Sequence, residues 1–401
     1  RSLHQQAAYL MGDLEYHILA NHFFKNALAL VFVGTLLDGP TADAWRAKGL
    51  QILRQEIPEQ FLADGGHYER SLLYHGVMLE DLLDLMNLAD GAGDLLEATD
   101  RRLFREAAES ARRFFAGLIY PDGEIPLFND AAFGIAPKPA RLLEYAARLL
   151  GPKPEPGPDA ADGAIEAAAS GYYGARLGDD MLLIDCGPMG PDYQPGHGHC
   201  DLLSFELCYE GRRLVVDSGV YGYDVGEIRS YIRSTAAHNT LRIDGEEQSE
   251  IWHAFRVGRR ARVLQARLAG GGASPYVFTG SHDGYRRLPG RPCHQRELRF
   301  HSDGRLEVED RVDGAGQHLL ESFVHLHPDW RVTSDGDGFL LSLDGQAPKA
   351  RLCAGPGCAA TVETGHFCPR FGEALENPVI LLRSEESLPA TLSYSIEKYP
   401  N

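Results

Sequence analysis

The sequence predicts an α+β protein, a helical domain resting on an antiparallel β-sandwich, and three observations carry that prediction. Residues 1–150 place apolar side chains at three-to-four spacing, as in Leu79, Leu82, Leu83 and Met86. Residues 164–401 switch to short alternating or fully apolar runs punctuated by Asp244-Gly245, Asp303-Gly304 and Asp344-Gly345. Between them, 151–163 opens with Gly151-Pro152-Lys153-Pro154-Glu155-Pro156-Gly157-Pro158, which cannot continue a helix and reads as a linker.

In order along the chain, helices are expected near 4–37, 42–62, 69–90, 99–118 and 138–150. They are separated at Asp38-Gly39-Pro40, Asp64-Gly65-Gly66, Asp90-Gly91 and Pro121-Asp122-Gly123. Short turns between helices of this length imply antiparallel hairpins. Strands are expected at Met181-Leu182-Leu183-Ile184, 202–207, 213–216, 240–243 and 322–326.

A formal net charge of −18 over 401 residues argues against a nucleic-acid or membrane-surface partner. The arginines are nevertheless grouped. Arg256, Arg259, Arg260, Arg262 and Arg267 form one cluster, Arg229 and Arg233 a second, and Arg286, Arg287, Arg291, Arg296 and Arg299 a third. Each is a solvated strand face or part of a positive groove. Seven cysteines without a C-x-x-C pair make neither a disulfide framework nor a thiolate zinc site. No apolar run reaches the ~18 residues of a membrane span. The chain begins at Arg1 inside helical sequence, so a leader or further helices are expected upstream. That favours the periplasm or export without excluding the cytoplasm.

The most informative stretch is Gly196-His197-Gly198-His199-Cys200-Asp201. Two imidazoles two residues apart in an extended segment point to one side, and the glycines admit a bulky ligand. With Asp217 and His238, His199 makes the mixed N/O donor set that suits zinc or manganese, and His197 is left over for chemistry. In the helical half, Asn21 and His22 interrupt an apolar helix, and Gly66-His67-Tyr68-Glu69-Arg70-Ser71 leads in polar sequence to Tyr74 and His75. Converging on an interdomain cleft, these groups suit β-elimination from a uronic-acid polysaccharide. Donors (Asn21, His22) offset the sugar carboxylate, a base (Tyr74 or His197) takes the C5 proton, and an acid returns one to O4. A phenol ionises near about 10, so Tyr74 needs a nearby cation to serve as base at neutral pH.

At this point the chain resembles the heparinase II/III-like polysaccharide lyases. The likeness is carried by Asn21-His22, by 64–75, by 196–201, by Asp217-Ser218-Gly219 with Tyr221 and Tyr223, and by 229–240. The resemblance implies an incomplete (α/α) toroid followed by stacked antiparallel sheets, with a cleft between them. It implies Tyr74 and His197 as catalytic residues, Asn21 and His22 on the uronate carboxylate, and Tyr223 assisting, with Tyr221 able to exchange roles. It implies His199, Asp217 and His238 as ligands of a bracing metal, zinc in the first place and manganese as the alternative. Arg70, His75, Arg229 and Asn239, inside the same motifs, are expected to bind substrate. The reading is a lyase cleaving (1→4) bonds to uronic acids in a glycosaminoglycan, alginate or exopolysaccharide, leaving a 4,5-unsaturated uronate. A uronyl C5-epimerase and a non-catalytic acidic-glycan-binding protein are the alternatives, and oligomeric state is left open.

Overall fold

The computed structural model describes residues 1–93, 95–152, 162–272, 274–336 and 338–399. Of the linker expected over 151–163, residues 153–161 lie outside them. The helical part comprises α1 (Ser2–Gly12), α2 (Ala20–Leu36), α3 (Pro40–Gln60), α4 (Leu72–Gly91), α5 (Ala98–Leu118) and α6 (Pro139–Leu150). Pro40 and Pro139 open α3 and α6, where a missing N–H costs nothing. α2 folds back on α3 and α4 on α5. α4 is buried on nearly every face and forms the centre of this layer, whereas α5 buries one stripe, Phe104, Ala108, Ala111, Phe115 and Leu118.

One expected helix is two. The 4–37 segment breaks between Gly12 and Ala20, where Leu19 and Ala20 take positive φ (62° and 53°) and Asn26 Oδ1 accepts from the Glu15 amide. Asn21 and His22 therefore lie in the first turn of α2, where backbone N–H groups are free, and not inside a helix.

The β part begins with a five-stranded antiparallel sheet, β1 (Gly163–Ala167), β2 (Tyr172–Leu177), β3 (Asp180–Asp185), β4 (Ser204–Tyr209) and β5 (Arg212–Val215), in that order. It is the middle layer of the molecule. Tyr172, Met181, Leu183 and Cys208 point into the helical core, while Tyr173, Leu182, Ile184, Phe205 and Leu207 point into the β core. This explains why Met181–Ile184 is apolar without alternation: both faces are covered.

After α7 (Glu227–Arg233) come β6 (Leu241–Ile243), β7 (Ile251–Trp252), β8 (Arg256–Val257), β9 (Val263–Gly271), β10 (Ser274–His282), β11 (Cys293–Phe300) and β12 (Leu306–Asp313). They are followed by β13 (Gln317–His325), β14 (Trp330–Asp335), β15 (Gly338–Leu343), β16 (Pro348–Ala354), β17 (Ala359–Arg370), β18 (Glu373–Ser387) and β19 (Ala390–Lys398). An eight-stranded sheet runs β14-β15-β16-β19-β12-β11-β10-β9 and a four-stranded one β17-β18-β13-β6. All pairings are antiparallel, and the sheets share one apolar core. Inside it, Asp310 pairs with Arg296 and His294, and Arg296 also donates to the carbonyls of Leu203 and Asn239, tying two site-bearing loops to the sheet.

The helical and β parts are joined through polar contacts of the 64–71 loop. Asp64 accepts from Ser170 N (2.7 Å) and Oγ (2.9 Å), and the Arg70 guanidinium donates to Ser170 O (3.0 Å). The hydroxyl of Tyr172 and the amide of Asn129 both donate to Arg70 O.

Candidate active site and metal centre

α4 brings Tyr74 to the junction of the two parts, and the loop before β4 brings His197 to the same place. Residues 196–203 form a loop, not the extended strand expected from the His-x-His spacing. The Tyr74 and His197 rings nevertheless stack, centroids 4.1 Å apart at 30°. Tyr74 Oη lies 2.6 Å from Tyr223 Oη, so the second tyrosine of the pair is Tyr223. Tyr221 instead lies at the surface, joined to Gly372 by a backbone bond.

The hub of the site is a residue the sequence reading did not single out, Asp130. Fully buried, it accepts from His197 Nδ1 (2.9 Å), His199 Nε2 (2.9 Å) and both terminal nitrogens of Arg229, including Nη2 at 2.8 Å. Burial opposes its charge, but Arg229 and the two imidazole donors outweigh burial and hold the carboxyl well below the usual carboxylate range. An ionised Asp130 takes the Nδ1–H of His197, so Nε2 is the ring nitrogen left without a hydrogen bond to Asp130. Its one signal in the sequence was the polar pair Asn129-Asp130 after the apolar Ile125-Pro126-Leu127-Phe128.

Glu69 is a second residue the sequence reading passed over. It sits 3.9 Å from His197 Nε2 and receives three hydrogen bonds from Asn21: its backbone N at 3.1 Å, and Nδ2 to each carboxylate oxygen at 3.0 Å. Asn21 thus joins the site through Glu69. His22 is exposed, 3.5 Å from Glu15, and among the described residues no hydrogen bond or ring contact links it to Tyr74 or His197.

Burial pushes Tyr74 upward; its bond to Tyr223 opposes the shift and Asp130 adds to it. Burial likewise raises Tyr223, with Asp130 and Tyr74 adding to it. Both phenols hold their protons at neutral pH, so the arrangement sets a protonated Tyr74 against the His197 ring.

The four residues expected to contact substrate all make hydrogen bonds within the protein. Arg70 is buried and donates to the carbonyls of Ser170 and Tyr68. Buried His75 accepts from His67 N and donates to Ala111 O, and burial, working against that last bond, pushes it down to about 4. Arg229 is committed to Asp130 and Ala254 O, and Asn239 to the carbonyls of Phe205 and Val216 and the amide of His325. These side chains build the frame, because a buried polar group must spend its hydrogen bonds internally.

The group of donor atoms that lies together among the described residues differs in one residue from the expected ligand set. His199, Asp201 and His238, all buried, each bring a ligand atom within 4.8 Å of the others. His199 Nδ1, Asp201 Oδ2 and His238 Nε2 are buried atoms without a hydrogen-bond partner. Asp217 lies one step out, accepting from His238 Nδ1 at 2.7 Å and so turning Nε2 inward. Burial pushes His199 down to about 4 and Asp201 up to about 6; at His238 burial is outweighed by Asp217, which raises it to about 9. Two imidazoles and a carboxylate with orphaned atoms, in a field that favours positive charge, fit a divalent cation.

Fold and site together define a class, and family comparison agrees. The chain matches the Heparinase II/III N-terminus model over residues 1–145 and the Heparinase II/III-like, C-terminal model over 160–395, and it belongs to that family. Among particular relatives, the heparin-sulfate lyase of Pedobacter heparinus is 28% identical over 357 residues, covering 84% of this chain and 49% of that protein. The FtsZ-localized protein C of Caulobacter vibrioides is 26% identical over 339 residues, 78% of this chain and 54% of that protein. The crystal structure of the heparan sulfate lyase from Pedobacter heparinus superposes with a TM-score of 0.75 at 21% identity, over 99% of this chain and 62% of that one. The chain therefore spans about half the length of the curated relatives it matches.

Proposed function

We propose that this chain is a polysaccharide lyase that cleaves (1→4) linkages to uronic acids by β-elimination. A sulfated glycosaminoglycan is its first candidate substrate, and alginate and acidic exopolysaccharides are the next. The observation that carries the reading is the stacked Tyr74–His197 pair, with Asp130 behind the imidazole and Tyr223 behind the phenol. The helical part, read as an incomplete (α/α) toroid over 1–150, and the β part over 164–401 act as two domains flanking the cleft.

The chemistry follows from the proton inventory. His197 Nε2 takes the C5 proton, and the electron pair of the broken C–H bond forms the C4–C5 double bond. The C4–O4 bond breaks, and Tyr74 gives its proton to the departing O4. After product release His197 gives its proton to solvent, and Tyr74 regains one from solvent, held in place by its hydrogen bond to Tyr223. On substrate binding, Asn21 turns one N–H from Glu69 to the sugar carboxylate and lowers the cost of charge there. His22, exposed beside it, assists from the rim.

A zinc ion, with manganese as the alternative, is proposed at His199, Asp201 and His238. When bound it supplies positive charge that braces the loop carrying His197. The test is a panel of polyuronates followed by ultraviolet absorbance of the new double bond, with mass analysis of products. Unsaturated products support the lyase. C5 inversion without chain cleavage would support an epimerase, and glycan binding without turnover a binding protein.

A further inference from the structure

Two arginine clusters separate in sequence meet in space. Arg259, Arg260 and Arg262 from one, and Arg286 and Arg287 from the other, line a single cavity of about 800 Å³ on the β part. That volume is within the range of small-ligand sites. Five arginines face two lining carboxylates. Asp192 is spent on Arg260 (3.1 Å), and Asp283 accepts from the backbone N of Arg262 (2.7 Å). Arg287 is held by Glu246 and Glu247 O. Among the described residues, the guanidinium groups of Arg259, Arg262 and Arg286 have no carboxylate partner. In a chain of net charge −18, such a concentration of free positive charge is not a surface average.

The cavity is coupled to the candidate active site by its walls. One wall is Pro188, Met189, Gly190 and Asp192, the start of the loop that ends at His197; the Met189 side chain lies so close to Gly198 that a Cβ there would meet it at 2.1 Å. The floor is buried Gln248, whose amide bonds both backbone groups of Leu202, next to Asp201. The same loop reaches the helical part, where Gln194 donates to Ile18 O and Tyr193 to Glu59.

We propose that this cavity is a second binding site for an acidic glycan, taking sulfate or carboxylate groups of a chain whose scissile unit lies at Tyr74 and His197. Free guanidinium groups grip such oxyanions in pairs of hydrogen bonds. The site resolves how an acidic protein captures a polyanion, since attraction is localised where the chain must lie. It rests on the lyase reading only for the class of its ligand.

The experiment measures calorimetric affinity for a heparan sulfate dodecasaccharide in a Tyr74→Phe background, where turnover is slowed. The triple variant Arg259→Ser, Arg262→Ser, Arg286→Ser is compared with the matching triple Lys variant. Loss of three charged donors is expected to weaken binding about tenfold, with only partial recovery by lysine, which restores the charge but not the paired hydrogen bonds, and an unchanged melting temperature. In the otherwise native enzyme, KM for the polymer rises by a similar factor with kcat unchanged. A dissociation constant within about twofold of the parent's would overturn the proposal. Saturable binding of sodium sulfate lost with the three arginines, while glycan affinity stays the same, would make this a small-anion site and overturn the glycan assignment. A parent that binds through the arginines but forms no unsaturated product supports the cavity and removes the lyase reading. Turnover with affinity and KM indifferent to the arginines does the reverse.

Discussion

Asp130→Asn tests the core of the site with almost no change of shape. In the parent, an ionised carboxylate accepts from His197 Nδ1, His199 Nε2 and Arg229, all buried around it. The asparagine amide has one acceptor oxygen and one donor nitrogen. Whichever way it turns, it cannot serve all three donors. With the oxygen kept by Arg229, the NH2 group faces His197 Nδ1 and stabilises the tautomer whose Nε2 carries the proton, which cannot act as base. General base catalysis of this kind contributes about 10²–10⁴-fold, so kcat should fall by that factor with KM little changed. The variant also strands Arg229 without its anion, at a cost of about 3–5 kcal/mol. Adding Arg229→Met separates the two effects, because it removes the stranded charge and should return much of the stability but none of the activity. Initial rates by ultraviolet absorbance and thermal unfolding are read on the same preparations. A single variant with kcat within about threefold of the parent, or a double variant with restored kcat, would refute the tautomer argument.

Tyr74→Phe removes the proposed proton donor to O4 and should lower kcat about 10²–10⁴-fold, while glycan affinity measured by calorimetry changes little; affinity lost in step with rate would point to a binding role instead. Metal content by mass spectrometry should fall most for His238→Ala and Asp201→Asn, and for Asp217→Asn by the about 10–100-fold in affinity typical of a residue that only orients a ligand. The reverse order, Asp217 above Asp201, would restore the donor set expected from the sequence. A third check concerns acid stability. Arg296 and His294 outweigh burial to hold Asp310 below its ordinary value of 3.8, so its stabilisation is fully present above that pH and is lost progressively as pH falls below it, through the depressed folded-state value. Asp310→Asn should cost about 3–5 kcal/mol at neutral pH and flatten the acid limb of the unfolding midpoint. An unchanged acid limb would show that the pair does not govern it.

Part of the site was legible because it uses residues unusual for their surroundings. His197 and His199 stood out between glycines, His238 within its short motif, and Tyr74 at the end of a polar run. What the sequence hid was the partner of each. Asp130, Glu69 and Asp201 resemble ordinary loop carboxylates, and nothing in their spacing says that the first lies under two imidazoles. Arg70, His75, Arg229 and Asn239 were legible as motif members, but the sequence does not distinguish a side chain facing a ligand from one spent on backbone carbonyls.

The amino-acid order by itself determined the helical and sheet halves, their class, and the limits of most helices in the first 150 residues, since periodicity and breakers act over one or two turns of chain. The division of α1 from α2, the role of the five-stranded sheet as a middle layer and the grouping of Asp201 with His199 and His238, with Asp217 bonded to the far side of His238, emerge only in three dimensions. So was the meeting of two arginine clusters around one cavity. Those features depend on groups tens of residues apart settling which polar atoms find partners, a balance of burial and hydrogen bonding that local sequence does not contain.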